Sequence, residues 1–123
     1  MAEAGDSKTL ANIFNKGAHH KNLTVMYFVQ NVYNKTRNHR TVSLNTHYNV
    51  VFCNERDASQ FRALAYQIYP NDAKWLLDVF EDATKELFGY LIFDHHPTSC
   101  RDMRVITNIL QNKKLTVYIK RPI

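Results

Sequence analysis

An apolar run at residues 23–29 constrains the fold more than any other feature of this chain. The run, LTVMYFV, contains β-branched and aromatic residues, which favour an extended strand. A strand without a polar face is typical of a mostly parallel sheet that helices cover on both sides. Two amides, Gln30 and Asn31, follow the run directly. Because ligands of open α/β sheets gather beyond the carboxyl ends of strands, we expect Gln30 to lie near a ligand.

Other patterns along the chain predict an alternation of helices and strands. An amino-terminal helix ends at Gly17, a second helix ends at Pro70, and a third begins at Asn71 and ends at Gly89. Further strands are predicted at residues 48–53, 90–93, 104–109 and 115–119. This order favours an α/β fold with mostly parallel strands, flanking helices and a C-terminal hairpin. Two central strands are too few for a complete doubly wound sheet, so we predict a single incomplete domain over residues 1–123.

Positive charge is concentrated at the two ends of the chain. The formal net charge is +5, to which residues 1–54 contribute +4, residues 55–96 contribute −4 and residues 97–123 contribute +5. No Asp or Glu occurs between Asp6 and Glu55. Such basic segments are compatible with a nucleic-acid or nucleotide partner, and equally with a solvated basic face.

The sequence gives no sign of secretion or of a membrane partner. The amino terminus lacks the basic start and apolar core of a secretory signal. No apolar stretch has the length that a bilayer span requires. Two cysteines do not make a disulfide framework. We therefore expect an intracellular protein that is not secreted.

Two histidine-containing clusters raise the question of a metal site. One is His19-His20, and the other is Asp94-His95-His96 with Cys100 nearby. Neither has the ligand spacing of a zinc site, and adjacent residues of a strand point to opposite faces of the sheet. No metal site is predicted.

Residues 17–31, GAHHKNLTVMYFVQN, resemble a segment of the poxvirus-like DNA-packaging ATPases, which belong to the HerA–FtsK group of P-loop ATPases. The resemblance continues through residues 40–45, 48–52, 54–57, 67–70, 89–94 and 107–109, and so covers nearly the whole chain. In that family the phosphate-binding loop and the acidic strand that helps hold magnesium lie upstream of the matched segment. The resemblance therefore implies the carboxyl-terminal half of a P-loop NTPase (RecA-like) core.

The resemblance also implies roles for individual polar residues. Gln30, with Asn31 beside it, would sense the γ-phosphate or align the attacking water, which suits an amide that both donates and accepts. The alternative is that Gln30 only ends its strand. Arg40 would act at the nucleotide of a neighbouring subunit, with Arg37 and Arg56 as alternative candidates. The residues that would contribute to nucleic-acid binding are Lys21, Lys35 and Arg37.

The resemblance implies a viral or mobile-element origin, and full-length members of the family act as homo-oligomeric rings that use ATP and magnesium to translocate double-stranded DNA. The present sequence contains no G-x-x-x-x-G-K-[ST] loop, so we expect no ATP hydrolysis and no cofactor for this chain alone. It departs from the family at Val29, where relatives usually have Thr, and in the loop at residues 32–37, which lacks the usual Gly. The alternative function is a non-catalytic basic α/β module that binds nucleic acid or assembles with full-length subunits.

Overall fold

The computed structural model describes residues 8–9, 11–13, 22–29, 45–56, 58–110 and 113–122. The chain divides into two units, Met1–Thr46 and His47–Ile123. In the first unit, residues 8–9 and 11–12 are helical, in agreement with the predicted amino-terminal helix. Residues 23–29 form no strand, and Met26 and Phe28 are 74% and 84% exposed. The prediction of a buried strand at this position is therefore wrong.

The described part of the second unit contains a four-stranded sheet and two helices. In chain order the elements are β1 (Tyr48–Phe52), α1 (Ala58–Ile68), α2 (Ala73–Thr84), β2 (Tyr90–Asp94), a 3₁₀ turn (Arg101–Met103), β3 (Val105–Thr107) and β4 (Thr116–Val117). The strands lie in the order β1-β2-β3-β4, and each neighbouring pair is antiparallel. The predicted elements of this unit are found, but the prediction of a mostly parallel, RecA-like sheet is wrong.

The direction of β2 follows from the number of helices before it. A single crossover helix returns the chain to the start of the first strand, so the next strand runs parallel to it. Here α1 carries the chain back towards the start of β1, and α2 then carries it forward again. β2 therefore begins beside the end of β1, where Phe52 pairs with Tyr90. The later connections, residues 95–104 and 108–115, are shorter than the dozen or so residues of a parallel crossover. They give antiparallel pairs, and the predicted C-terminal hairpin is confirmed as β3–β4.

The core of the second unit lies between its helices and one face of its sheet. The ring of Phe61, from α1, stacks on that of Phe80 at 3.7 Å between centroids and on that of Phe93 at 6.2 Å. Leu76 of α2 and Leu91 of β2 are fully buried. Burial of these apolar surfaces is the main source of stability, and the stacked rings add to it. This core holds α2 against the strands and so fixes the position of the residues at its start.

Candidate functional site

The site residues that the sequence predicts lie outside the described part of the chain. They are Gln30, Asn31, Arg40, Lys21, Lys35 and Arg37. Their roles as phosphate sensor, trans-acting arginine and nucleic-acid contacts stay predictions. Arg56, an alternative to Arg40, is described and exposed, and its backbone N–H donates to Asn54 Oδ1 at 3.1 Å.

A groove of about 450 Å³ is present in the second unit. It lies between the start of α2, the 3₁₀ turn and the segment that follows β4. This volume falls in the range of small-ligand sites. The residues that give the groove its chemical character are two aromatic residues, Tyr69 and Trp75, three cations, Arg101, Arg104 and Lys120, and two carboxylates, Asp72 and Asp102.

Two aromatic side chains form one wall of the groove. Tyr69 follows α1 directly, and Trp75 lies in the first turn of α2. Their ring centroids are 6.1 Å apart and the rings meet edge to face at 72°. Burial raises the pKa of the Tyr69 hydroxyl despite the opposing charge of Arg104, so this side chain is a neutral phenol. Half-buried aromatic rings of this kind offer a surface on which another planar ring can stack.

Cationic side chains form the other wall. Arg104 is held by two backbone carbonyls, since its Nη1 donates to Asp94 O and its Nη2 to Ser99 O, each at 3.1 Å. Carbonyl groups have no formal charge, and no described carboxylate forms an ion pair with Arg104, although its charge also acts on the nearby Asp94. Lys120 forms an ion pair with Asp72. The exposed side chain of Arg101 makes no hydrogen bond or ion pair with any described residue. Arg101 is therefore available to bind an anion.

A hydrogen bond between side chains connects the segment after β4 to α2. Tyr118 Oη donates to Asp82 Oδ2 at 2.6 Å. This bond, with a second from Lys85, lowers the pKa of Asp82. Burial and the nearby Asp82 carboxylate raise the pKa of Tyr118, so the phenol keeps its proton and continues to donate. A charge-assisted bond thus holds the segment that follows β4 against the end of α2.

The second histidine cluster of the sequence forms a structural loop. Asp94 accepts hydrogen bonds from Ser99 Oγ at 2.6 Å and from the backbone N–H of His96 at 2.9 Å. Burial opposes ionisation of Asp94, but these bonds and the charge of Arg104 hold its pKa below the ordinary value. Among the described residues, no three His, Cys, Asp or Glu side chains converge as metal ligands. The loop instead positions Arg104 and the 3₁₀ turn that contains Arg101.

Comparison of the chain with protein-family models, with curated proteins and with solved structures finds no match. In the part of the chain that the structure describes, no helix has the length and apolar character needed to cross a bilayer.

The sequence did not identify the residues of this groove. Trp75 follows the helical spacing of α2 together with Leu76 and Val79, and this pattern predicts packing in the core. Two features of the sequence could have indicated the site: the charge of +5 on residues 97–123 and the presence of only one tryptophan in the chain.

Proposed function

We propose that this chain is a non-catalytic module that binds nucleic acid and takes a single-stranded segment into the groove. The observation that supports the proposal most directly is that Tyr69 and Trp75 line the same groove as Arg101 and Arg104. Proteins that bind single strands without sequence preference combine two interactions: bases stack on aromatic rings, and cations neutralise the phosphate backbone.

The size of the groove favours an unpaired nucleotide over a duplex. A volume of about 450 Å³ is enough for one nucleotide unit. A base within a duplex has to leave its stack before it can lie against Trp75, and this unstacking costs a few kcal/mol. Double-stranded DNA, the partner that the family resemblance implies, would contact only the cations at the rim. We therefore expect weaker binding of duplexes.

The proposal assigns the chain to a compartment that contains nucleic acid, namely the cytoplasm or nucleus of a host cell, or a virion. The exposed free thiols of Cys53 and Cys100 agree with a reducing compartment. Assembly with full-length ATPase subunits, which the resemblance implies, stays a prediction.

Intrinsic fluorescence gives a direct test, because the single tryptophan of the chain lies in the groove. We expect oligothymidylate to quench the emission of Trp75 as a base stacks on it. The affinity should fall as salt concentration rises, since each phosphate contact releases counterions. A duplex of the same length should bind more weakly. Absence of quenching, or equal quenching by the duplex, would contradict the proposal.

A pair of charge variants tests the position of the site. Arg101→Gln is expected to weaken the binding of oligothymidylate and to reduce the slope of log affinity against log salt by about one. Arg62→Gln removes the same charge from an exposed position on α1, outside the groove, and should change neither quantity. An equal loss in the two variants would mean that binding follows net charge alone, and would reject the groove as the site.

A further inference from the structure

We infer that β1 pairs with β1 of a second copy of this chain, antiparallel about a two-fold axis at Val50. The first observation that supports this pairing is the direction in which the backbone N–H and C=O groups of β1 point. His95 N donates to His47 O at 2.7 Å, and these two residues are opposite each other in the continued register of β1 and β2. Hydrogen-bonded and non-bonded pairs alternate along an antiparallel ladder. Asn49 and Val51 therefore bond to β2.

The alternate residues of β1 direct their backbone groups the other way. Tyr48, Val50 and Phe52 point their N–H and C=O groups to the outer edge of the strand, where the described sheet has no further strand. The side chains of the same three residues are 54%, 51% and 60% exposed. Among the residues that the structure describes, none pairs with the backbone at this edge, and the three side chains are exposed there.

The edge is complementary to itself. Antiparallel pairing centred on Val50 sets this residue opposite Val50 of the second copy and sets Tyr48 opposite Phe52 of the second copy. Each outward-facing residue then meets another, which gives about six backbone hydrogen bonds in the ladder geometry. The aromatic pairs lie at directly opposite positions, where cross-strand contacts are favourable. β1 contains no charged residue, so no like charges meet.

The two edges of the sheet differ in their protection against pairing. Proteins usually protect an edge strand with Lys, Pro, a bulge or a very short strand. β4 has only two residues and lies between Lys113-Lys114 and Lys120-Arg121. β1 has five residues and contains no Lys, Pro or Gly. Of the two edge strands of the described sheet, β1 is therefore the one without such protection, and pairing there leaves the groove beside β4 accessible.

The exposed area indicates a weak dimer. The three side chains of β1 expose on the order of 300 Å² per copy, given the usual areas of such residues. A stable interface buries about 800 Å² per partner. We therefore expect a dissociation constant that is micromolar or weaker.

Sedimentation equilibrium of the full chain over a wide concentration range tests the inference, together with amide hydrogen exchange. We expect a monomer–dimer equilibrium. The amides of Tyr48, Val50 and Phe52 should become protected as concentration rises, whereas those of Asn49 and Val51 are protected at every concentration. A monomer at the highest concentration, or protection that does not change with concentration, would overturn the inference.

Two variants at one position separate the interface from the fold. Val50→Lys places two ammonium groups opposite each other, and Val50→Pro removes an N–H that the β1–β2 ladder does not use. Both should be monomeric, with the circular dichroism of the unaltered chain and its affinity for oligothymidylate. Tyr66→Lys introduces the same charge at an exposed site on α1 and should dimerise normally. Dimerisation of both Val50 variants would refute the pairing.

Discussion

At the scale of single residues, Asp72 limits the positive charge of the groove. Its carboxylate pairs with Lys120, and its side chain makes no capping hydrogen bond to α2. Asp72→Asn should therefore release Lys120 and remove no capping hydrogen bond from α2. We expect the affinity for oligothymidylate to rise about two- to fivefold, the equivalent of one surface ion pair. Quenching of Trp75 fluorescence measures the change.

Asp78→Asn is the matched control for this prediction. Asp78 is exposed on α2 and does not line the groove, so its replacement removes the same charge from a different place. If both variants gained affinity equally, the effect would belong to net charge and not to the release of Lys120.

The residues of the groove show why sequence spacing did not reveal it. Tyr69 lies in the short connection between α1 and α2, and Trp75 lies in the first turn of α2. Arg101 belongs to the 3₁₀ turn, and Lys120 belongs to the segment that follows β4. The sheet brings these distant segments together, and no local pattern encodes that contact. The predicted site residues were instead those next to the apolar run at residues 23–29.

At the scale of elements, the turn between α2 and β2 depends on its glycine. Gly89 N donates to Glu86 O at 3.0 Å, which closes the turn. A Cβ at position 89 would meet the backbone oxygen of Ala83 and would lie 2.8 Å from Thr84 Cα. Neither backbone atom can move without unwinding the end of α2. We expect Gly89→Ala to lower the free energy of unfolding by about 1–3 kcal/mol in urea titrations.

Phe88 gives the matched comparison in the same turn. Its φ of 61° lies in the left-handed region, which costs a non-glycine residue about 1–2 kcal/mol. Its side chain is 78% exposed, so Phe88→Gly loses little burial. The relief of strain should exceed the added chain entropy of about 0.5–1 kcal/mol. A gain from Phe88→Gly with a loss from Gly89→Ala would support this account, and two losses of equal size would contradict it.

The elements themselves were predictable where periodicity is strong. The apolar positions of α1 and α2 and the stop at Pro70 predicted both helices, and β2 was placed within one residue. The prediction of mostly parallel strands was wrong, because strand direction depends on how many times the chain reverses between strands and not on any local pattern. Residues 23–29 have the composition of a strand, but strand propensity reflects packing against a neighbouring strand. The described residues there have no such neighbour.

At the scale of the whole molecule, the loop after β2 makes folding stability depend on pH. His95 stacks on Phe93 with 6.3 Å between ring centroids. Burial lowers the pKa of His95, and the charge of Arg104 lowers it further against the opposing effect of Asp94. The folded state therefore binds fewer protons than the unfolded chain just below the ordinary histidine pKa of 6.5. Consequently, the free energy of unfolding decreases as pH falls from about 6.5 towards the folded pKa of His95.

Asp94 acts in a separate and lower range of pH. Its folded pKa lies below the ordinary 3.8, so its contribution to stability is present above that value and is lost as pH falls through the folded pKa. Urea titrations at a series of pH values resolve the two ranges. We expect His95→Gln to remove part of the slope just below the ordinary histidine pKa. Ser99→Ala, which deletes a hydrogen bond to Asp94, should change the pH dependence of the free energy of unfolding only in the lower range of pH. If His95→Gln kept the full slope of the unaltered chain, another of its six histidines would be responsible.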